Sequence, residues 1–248
     1  MTGTAHATGP VACIGAGPQT PRDITKKSGT NPQNFAMAPD AAKLNLCNIH
    51  FHKNAEHKGP GFSISAGKGE HGGWKCNETP KLTPSELKAS KAGACKGLKA
   101  GDTVEVHWVH SSCPVKPGKG LGSCLSTGCN DPLLRVETQV FLVVNSRSAA
   151  NFASFDYSGA AKAGVHQARA LPTNTGTPVV FRGSTTGPSY DSGAKCSPLK
   201  VTWSVRPNCA KVDIETVHKW CEKNVFQEDH GHGVRQIVTD PKFLDKIN

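Results

Sequence analysis

Residues 48–57 run Asn-Ile-His-Phe-His-Lys-Asn-Ala-Glu-His, and residues 105–110 run Glu-Val-His-Trp-Val-His. Neutral imidazoles bind divalent metals well, so the spacing of these histidines is the first thing to test. In a strand, residues two apart project to one face. His50 and His52 then point together, and Phe51 points away. On the second segment Glu105, His107 and Val109 share a face, while Val106, Trp108 and His110 take the other. If the two strands lie side by side, His50, His52 and His107 can converge on one ion. Three imidazoles with a fourth position open to water are a common form of catalytic zinc. The plainer reading is three core or surface histidines.

Parity offers two of these histidines a partner. Asn48 stands two residues before His50, and Glu105 two before His107. Each can accept a ring N–H, fixing the tautomer and orienting the ligand. Their plainer roles are a strand-edge amide and a surface carboxylate.

The elements that must carry these residues read as short strands between frequent turn residues. The chain has 26 Gly and 17 Pro in 248 residues, which favours many short segments over long helices. Runs at 43–52, 103–110, 133–145, 178–181 and 199–205 have the β-prone character of strands. One helix is expected over 213–226, capped by Asp213, with Ile214, Val217, Trp220 and Cys221 on one face. A shorter helix is expected over 83–92, where Thr83, Pro84 and Glu86 form a capping pattern. Segments 59–73 and 114–129 read as long loops stapled by cysteines. The pattern predicts one mainly β domain with a few helices over 1–248, including an extended segment at 1–18 and a C-terminal segment at 227–248.

Ten scattered cysteines without a Cys-x-x-Cys spacing predict disulfides and an oxidising compartment, so the chain is expected to be secreted or periplasmic. Its first residues lack the charged start and apolar core of a signal peptide, and no leader is expected within the chain. No apolar run reaches about 18 residues, so no membrane span is expected. The net charge of +10 is spread and not interleaved with aromatics, which argues against a nucleic-acid surface. Asn77-Glu-Thr79 is a glycosylation sequon, meaningful in a eukaryotic secreted protein.

The histidine segments together resemble the zinc core of the α-class carbonic anhydrases. The run Asn-Leu-Cys-Asn-Ile-His-Phe-His-Lys-Asn-Ala-Glu-His-Lys-Gly, from Asn45, is more similar still to the δ-class enzymes. Other pieces follow in the same order. Gln19-Thr-Pro-Arg-Asp-Ile24 resembles the α-class Gln-Ser-Pro-x-x-Ile segment. Gly183-Ser-Thr-Thr-Gly-Pro188 resembles the Gly-Ser-Leu-Thr-Thr-Pro-Pro loop, and Val201-Thr-Trp203 the strand after it.

The resemblance implies an α-carbonic-anhydrase-like domain around a large, mostly antiparallel twisted sheet. It implies a zinc lyase that hydrates CO2 reversibly to bicarbonate and a proton, using hydroxide generated at Zn2+. His50, His52 and His107 become the zinc ligands. Glu56 and Thr185 become the pair in which a threonine hydroxyl donates to a buried carboxylate and orients the attacking oxygen. Thr186 would assist with bicarbonate, and Val109 and Trp203 would wall an apolar CO2 pocket. Cys13 and Cys196 fall where extracellular α-class members carry a bridge; the other eight cysteines leave about a hundred connectivities open.

Departures leave three points open. Only three residues separate His52 from Glu56, which suits the δ-class and not the longer α-class hairpin. The loop lacks the leucine before its threonines, so either Thr185 or Thr186 can take the gatekeeping role. No histidine matches the α-class proton-shuttle position; His71, His166, His230 and His232 are the alternatives, and the second His-x-His, at 230–232, reads as loop. Two rival readings stand. His50-x-His52-x-x-x-Glu56 also fits a cupin, with Glu56 as a ligand to iron, manganese or nickel. The fold could also serve as a secreted, non-catalytic binding domain. Oligomeric state is not legible.

Overall fold

The computed structural model describes residues 15–70, 72–186 and 196–248. The strands are β1 (Asn45–Lys53), β2 (Phe62–Ser65), β3 (Trp74–Cys76), β4 (Thr103–Ser111), β5 (Leu134–Val144), β6 (Tyr157–Lys162), β7 (Val165–Ala168), β8 (Val179–Ser184), β9 (Lys200–Val205) and β10 (Ala210–Asp213). The α-helix α1 spans Ile214–Glu222. Five strands lie in the order β1-β4-β5-β9-β8, and β10 joins the same sheet on β5. Pairs β1–β4, β4–β5 and β8–β9 are antiparallel, while β5–β9 and β5–β10 are parallel. The sheet is therefore mixed with an antiparallel majority. β9 pairs with the first half of β5, and β10 follows along the same edge at Phe141 to Val144.

Alternation sorts the side chains into two cores. Ile49, Phe51, Val106, Trp108, Phe141 and Val143 face α1 and pack with its Ile214, Val217 and Trp220. Val109, Val136, Val140, Phe181, Val201 and Trp203 form the core on the opposite face. The histidines project on this second side, so the sheet is covered on both faces and the site sits above a rigid floor.

Four disulfides link described residues: Cys47–Cys124, Cys76–Cys209, Cys95–Cys221 and Cys113–Cys129. Two of them staple the loop at 114–129, one to β1 and one across itself. Closing a loop of that kind stabilises by about 3 kcal/mol. The expected Cys13–Cys196 bridge involves Cys13, which lies outside the described residues.

Two helices differ from the expectation. α1 ends at Glu222 and not at 226, with Lys223 already extended. Asn224 is the cause. Its Nδ2 donates to the Trp220 carbonyl at 3.0 Å, and its Oδ1 accepts the N–H groups of Phe226 and Glu228. That side chain replaces the helical bonds with local ones. At 83–92 the capping pattern forms, with Thr83 N donating to Glu86 Oε2 at 2.9 Å, but only one turn follows. Asn145 takes the Glu86 and Lys88 carbonyls that later turns would need. The 59–73 loop also holds β2, which hairpins onto β3.

Candidate metal centre

β1 and β4 pair so that His50 lies opposite His107, His52 opposite Glu105, and Asn48 opposite Val109. The three histidines thus share one face across two adjacent strands. Their ring centroids lie 5.2, 5.0 and 4.8 Å apart, and one nitrogen of each falls within 4.8 Å of the others.

The remaining nitrogens are occupied, and this assigns the free ones. His50 Nδ1 donates to Asn48 Oδ1 at 2.6 Å, leaving Nε2. His52 Nδ1 donates to the Gly233 carbonyl at 2.8 Å, again leaving Nε2. His107 Nε2 donates to Glu105 Oε1 at 2.7 Å, leaving Nδ1. His50 Nε2 and His107 Nδ1 stand 3.2 Å apart. Nitrogens each about 2.0–2.1 Å from one tetrahedral ion would show a similar spacing. The donor set of three neutral imidazoles fits a borderline-soft divalent metal.

The supports are built from distant pieces of chain. Asn48 Nδ2 donates to the Gly118 carbonyl at 3.1 Å, which turns its Oδ1 toward His50. The Gly118 N–H and the Ser123 hydroxyl both donate to the Cys47 carbonyl, so the stapled loop holds β1 beside His50. Glu105 is fully buried and receives three donors: His107, the His57 ring at 2.7 Å and the His57 backbone N–H at 3.0 Å. Burial alone would raise its carboxyl, but His57 and His107 outweigh that and hold it well below the usual range. His57, Glu105 and His107 also converge, but as a hydrogen-bonded chain. Burial lowers His50 well below the ordinary imidazole value, with neighbouring imidazoles adding to it. Burial likewise takes His52 to about 4, against the pull of Glu56. Both rings are neutral at neutral pH, the state that offers a lone pair.

Glu56 is buried beside His52, its Oε1 3.7 Å from His52 Nδ1. Its carboxylate accepts the backbone N–H of Arg235 at 2.8 Å and two guanidinium bonds at 3.2 Å. Burial works to raise its carboxyl, and Arg235 with the nearby imidazoles overcomes this and brings it to about 2.

Thr185 is buried and donates its N–H to the Leu199 carbonyl. No hydrogen bond joins it to Glu56 among the described residues. Its loop is clamped from the N-terminal segment. Gln19 Oε1 accepts Ser197 N–H at 2.8 Å and the Ser184 hydroxyl at 3.2 Å, and Thr20 Oγ1 donates to the Ser184 carbonyl. Trp203 connects this loop to the histidines: its Nε1 donates to Ser184 O at 3.1 Å, and its ring lies 5.0 Å from that of His107. Thr186 is half-buried, and Val109 is buried on the His107 face.

Among the described histidines that could carry a proton outward, His232 is the one whose ring meets the cluster. Its ring is 5.7 Å from His50 and 5.9 Å from His52, and it bonds Glu228. His230 lies 5.2 Å further along, and His166 bonds Tyr157 instead. His71 lies outside the described residues.

The sequence points to His57 as a buried, hydrogen-bonded structural histidine, which it is, though not to Glu105 as its partner; the contributions of Gly118, Gly233 and Arg235 have no counterpart in the sequence reading. Two of them act through backbone carbonyls, which leave no sequence signal. Arg235 sits five residues past His230 in the His-Gly-His-Gly-Val-Arg run, and that run, with its second His-x-His, was the one available pointer.

A family model described as Delta carbonic anhydrase matches residues 41–216. No curated protein matches the chain in sequence. Among solved structures, the chain is similar to a hyperthermostable carbonic anhydrase from an active hydrothermal vent chimney, at 14% identity and a TM-score of 0.39, covering 96% of this chain and 90% of that one. It is similar also to a halotolerant carbonic anhydrase from Dunaliella salina, at 13% identity and 0.38, covering 98% and 92%. An alpha-carbonic anhydrase from Photobacterium profundum gives 18% identity and 0.35, covering 95% and 91%. Likenesses of this size say nothing about individual residues.

Proposed function

The chain belongs to the delta carbonic anhydrase family, and from that premise we propose that it is a zinc enzyme hydrating CO2 reversibly to bicarbonate and a proton. The observation that carries the reading is the assignment of free nitrogens. His50 Nε2 and His107 Nδ1 face each other at 3.2 Å while their other nitrogens are bonded, and His52 joins them. These three residues would hold the ion. When bound, zinc supplies a Lewis acid that makes water a nucleophile near neutral pH, for which carbonic anhydrase is the type case.

The chain's residues do the rest. Asn48, the Gly233 carbonyl and Glu105 hold the three rings in the ligating tautomer. The Thr185 hydroxyl would take the gatekeeping role by donating to Glu56, a bond not made in this structure, and by accepting from the reacting oxygen. Thr186 stands beside it to receive the bicarbonate oxygen. Val109 and Trp203 give the uncharged substrate an apolar wall that keeps competing water sparse.

The cupin alternative needs Glu56 as a ligand. Its carboxylate is engaged three times by Arg235, and the convergent set is His50, His52 and His107 without it. A binding-only role would give no reason to orient three imidazoles. The four disulfides among described residues support a secreted or periplasmic setting. No helix of the described residues is long and apolar enough to cross a membrane.

Stopped-flow CO2 hydration tests the reading directly. Activity should vanish when a strong chelator strips the metal and return with stoichiometric zinc. Absence of hydration by the zinc-loaded protein would overturn it.

A further inference from the structure

We propose that Arg235 is a positioning residue for CO2 hydration: it pins Glu56 so that one oxygen stays open to a hydroxyl donor, the place the Thr185 hydroxyl would take when the site is loaded. This rests on the roles given above to Glu56 and Thr185.

Glu56 Oε1 accepts the Arg235 backbone N–H at 2.8 Å and Nε at 3.2 Å. Oε2 accepts a single terminal guanidinium nitrogen, at 3.2 Å. A carboxylate oxygen has about two good acceptor directions, so Oε1 is filled and Oε2 retains one. Every group that Arg235 brings is a donor. A hydroxyl arriving at Oε2 must therefore donate as well, which leaves its own lone pairs for the reacting oxygen. The guanidinium fork fixes the carboxylate plane as a point charge could not.

The backbone beneath this fork is itself tied to the ligand strand. His232 N–H donates to the Phe51 carbonyl, Lys53 N–H donates to the His232 carbonyl, and Val234 N–H donates to the Glu70 carbonyl. Gly233 accepts from His52 and Arg235 donates to Glu56, so residues two apart on one extended segment serve both groups. All hydrogen bonds of the guanidinium among the described residues go to Glu56. Glu56 and Arg235 themselves line a cavity of about 190 Å³, together with Trp74, Val234 and Ile237. A shorter side chain at 235 would leave the carboxylate free to turn toward that space.

The test is a double-mutant cycle on the zinc-loaded enzyme with Arg235→Met, Glu56→Gln and both together, each checked for zinc content and near-UV circular dichroism. Arg235→Met should lower kcat by about 10–100-fold, the scale of a misaligned reacting group, with zinc content unchanged. In the Glu56→Gln background the same change should cost less than about twofold, because residues acting as a unit are not additive. The double variant carries no unpaired buried charge. Should Arg235→Met alone fail to fold, Arg235→Lys takes its place, and its loss must likewise disappear in the Glu56→Gln background. Additive losses, a wild-type kcat in Arg235→Met, or a loss matched by missing zinc would each overturn the inference. An active wild type with additive losses overturns this inference alone; an inactive wild type overturns the hydration reading and this with it.

Discussion

Glu105 and His107 stand two residues apart on β4, and Glu105 Oε1 accepts the His107 Nε2–H at 2.7 Å. The bond leaves Nδ1 as the nitrogen that His107 can offer a metal, whereas His50 and His52 offer Nε2. Glu105 is itself held by two bonds from His57, so the orientation of the His107 ring is set through a chain of three residues. Glu105→Ala should weaken zinc binding by about 10–100-fold, read by competition with a chromophoric chelator. Glu105→Gln keeps an acceptor and should lose less. Equal zinc affinity in wild type and Glu105→Ala would show that the bond does not orient the ligand.

The Cys47–Cys124 bridge should matter beyond stability. It staples β1 to the loop whose Gly118 carbonyl turns Asn48 toward His50. Replacing both cysteines with serine should cost about 2–5 kcal/mol, measured by urea unfolding. The same variant should release zinc to chelator faster than wild type under folding conditions. A stability loss with an unchanged release rate would confine the bridge to the scaffold.

Glu56 predicts a specific acid response. Its folded carboxyl lies at about 2, below the ordinary 4.5. A depressed carboxyl favours the folded state when ionised. Its contribution is complete above about pH 4.5 and fades as pH falls toward about 2. Urea midpoints of the metal-free protein, taken from pH 6 downward, should drop more steeply for wild type than for Glu56→Gln across that window. Parallel curves would show that the Glu56–Arg235 pair contributes nothing to the acid response.

What could be seen in advance follows the physics of strands. Period-two alternation assigned His50, His52, Asn48, Glu105 and His107 to facing positions, and the β1–β4 register brings them together. The strands β1, β4, β5, β8 and β9 stand out in the sequence from their apolar runs. β2, β3, β7 and β10, of three or four residues, are too short for a clear period, and β6 reads Tyr-Ser-Gly-Ala-Ala-Lys with no apolar run. The end of α1 turned on the side chain of Asn224, and the single turn at Thr83 on Asn145, each a competition that local propensity does not register. Gly233 and Arg235 lie far along the chain from His52 and Glu56, and only the fold reveals them as partners. The Gln19-Thr-Pro segment stands out as a motif, but its work, clamping the loop of Thr185 through Ser184 and Ser197, depends on contacts between distant parts of the chain.

The most direct check of the central claim is zinc K-edge X-ray absorption on the purified, metal-loaded protein. The account predicts one ion per chain with three imidazole nitrogens and one further light atom at about 2.0–2.1 Å, and loss of that signature in His107→Ala. Carboxylate or sulfur among the protein ligands, or an unchanged spectrum in His107→Ala, would contradict it.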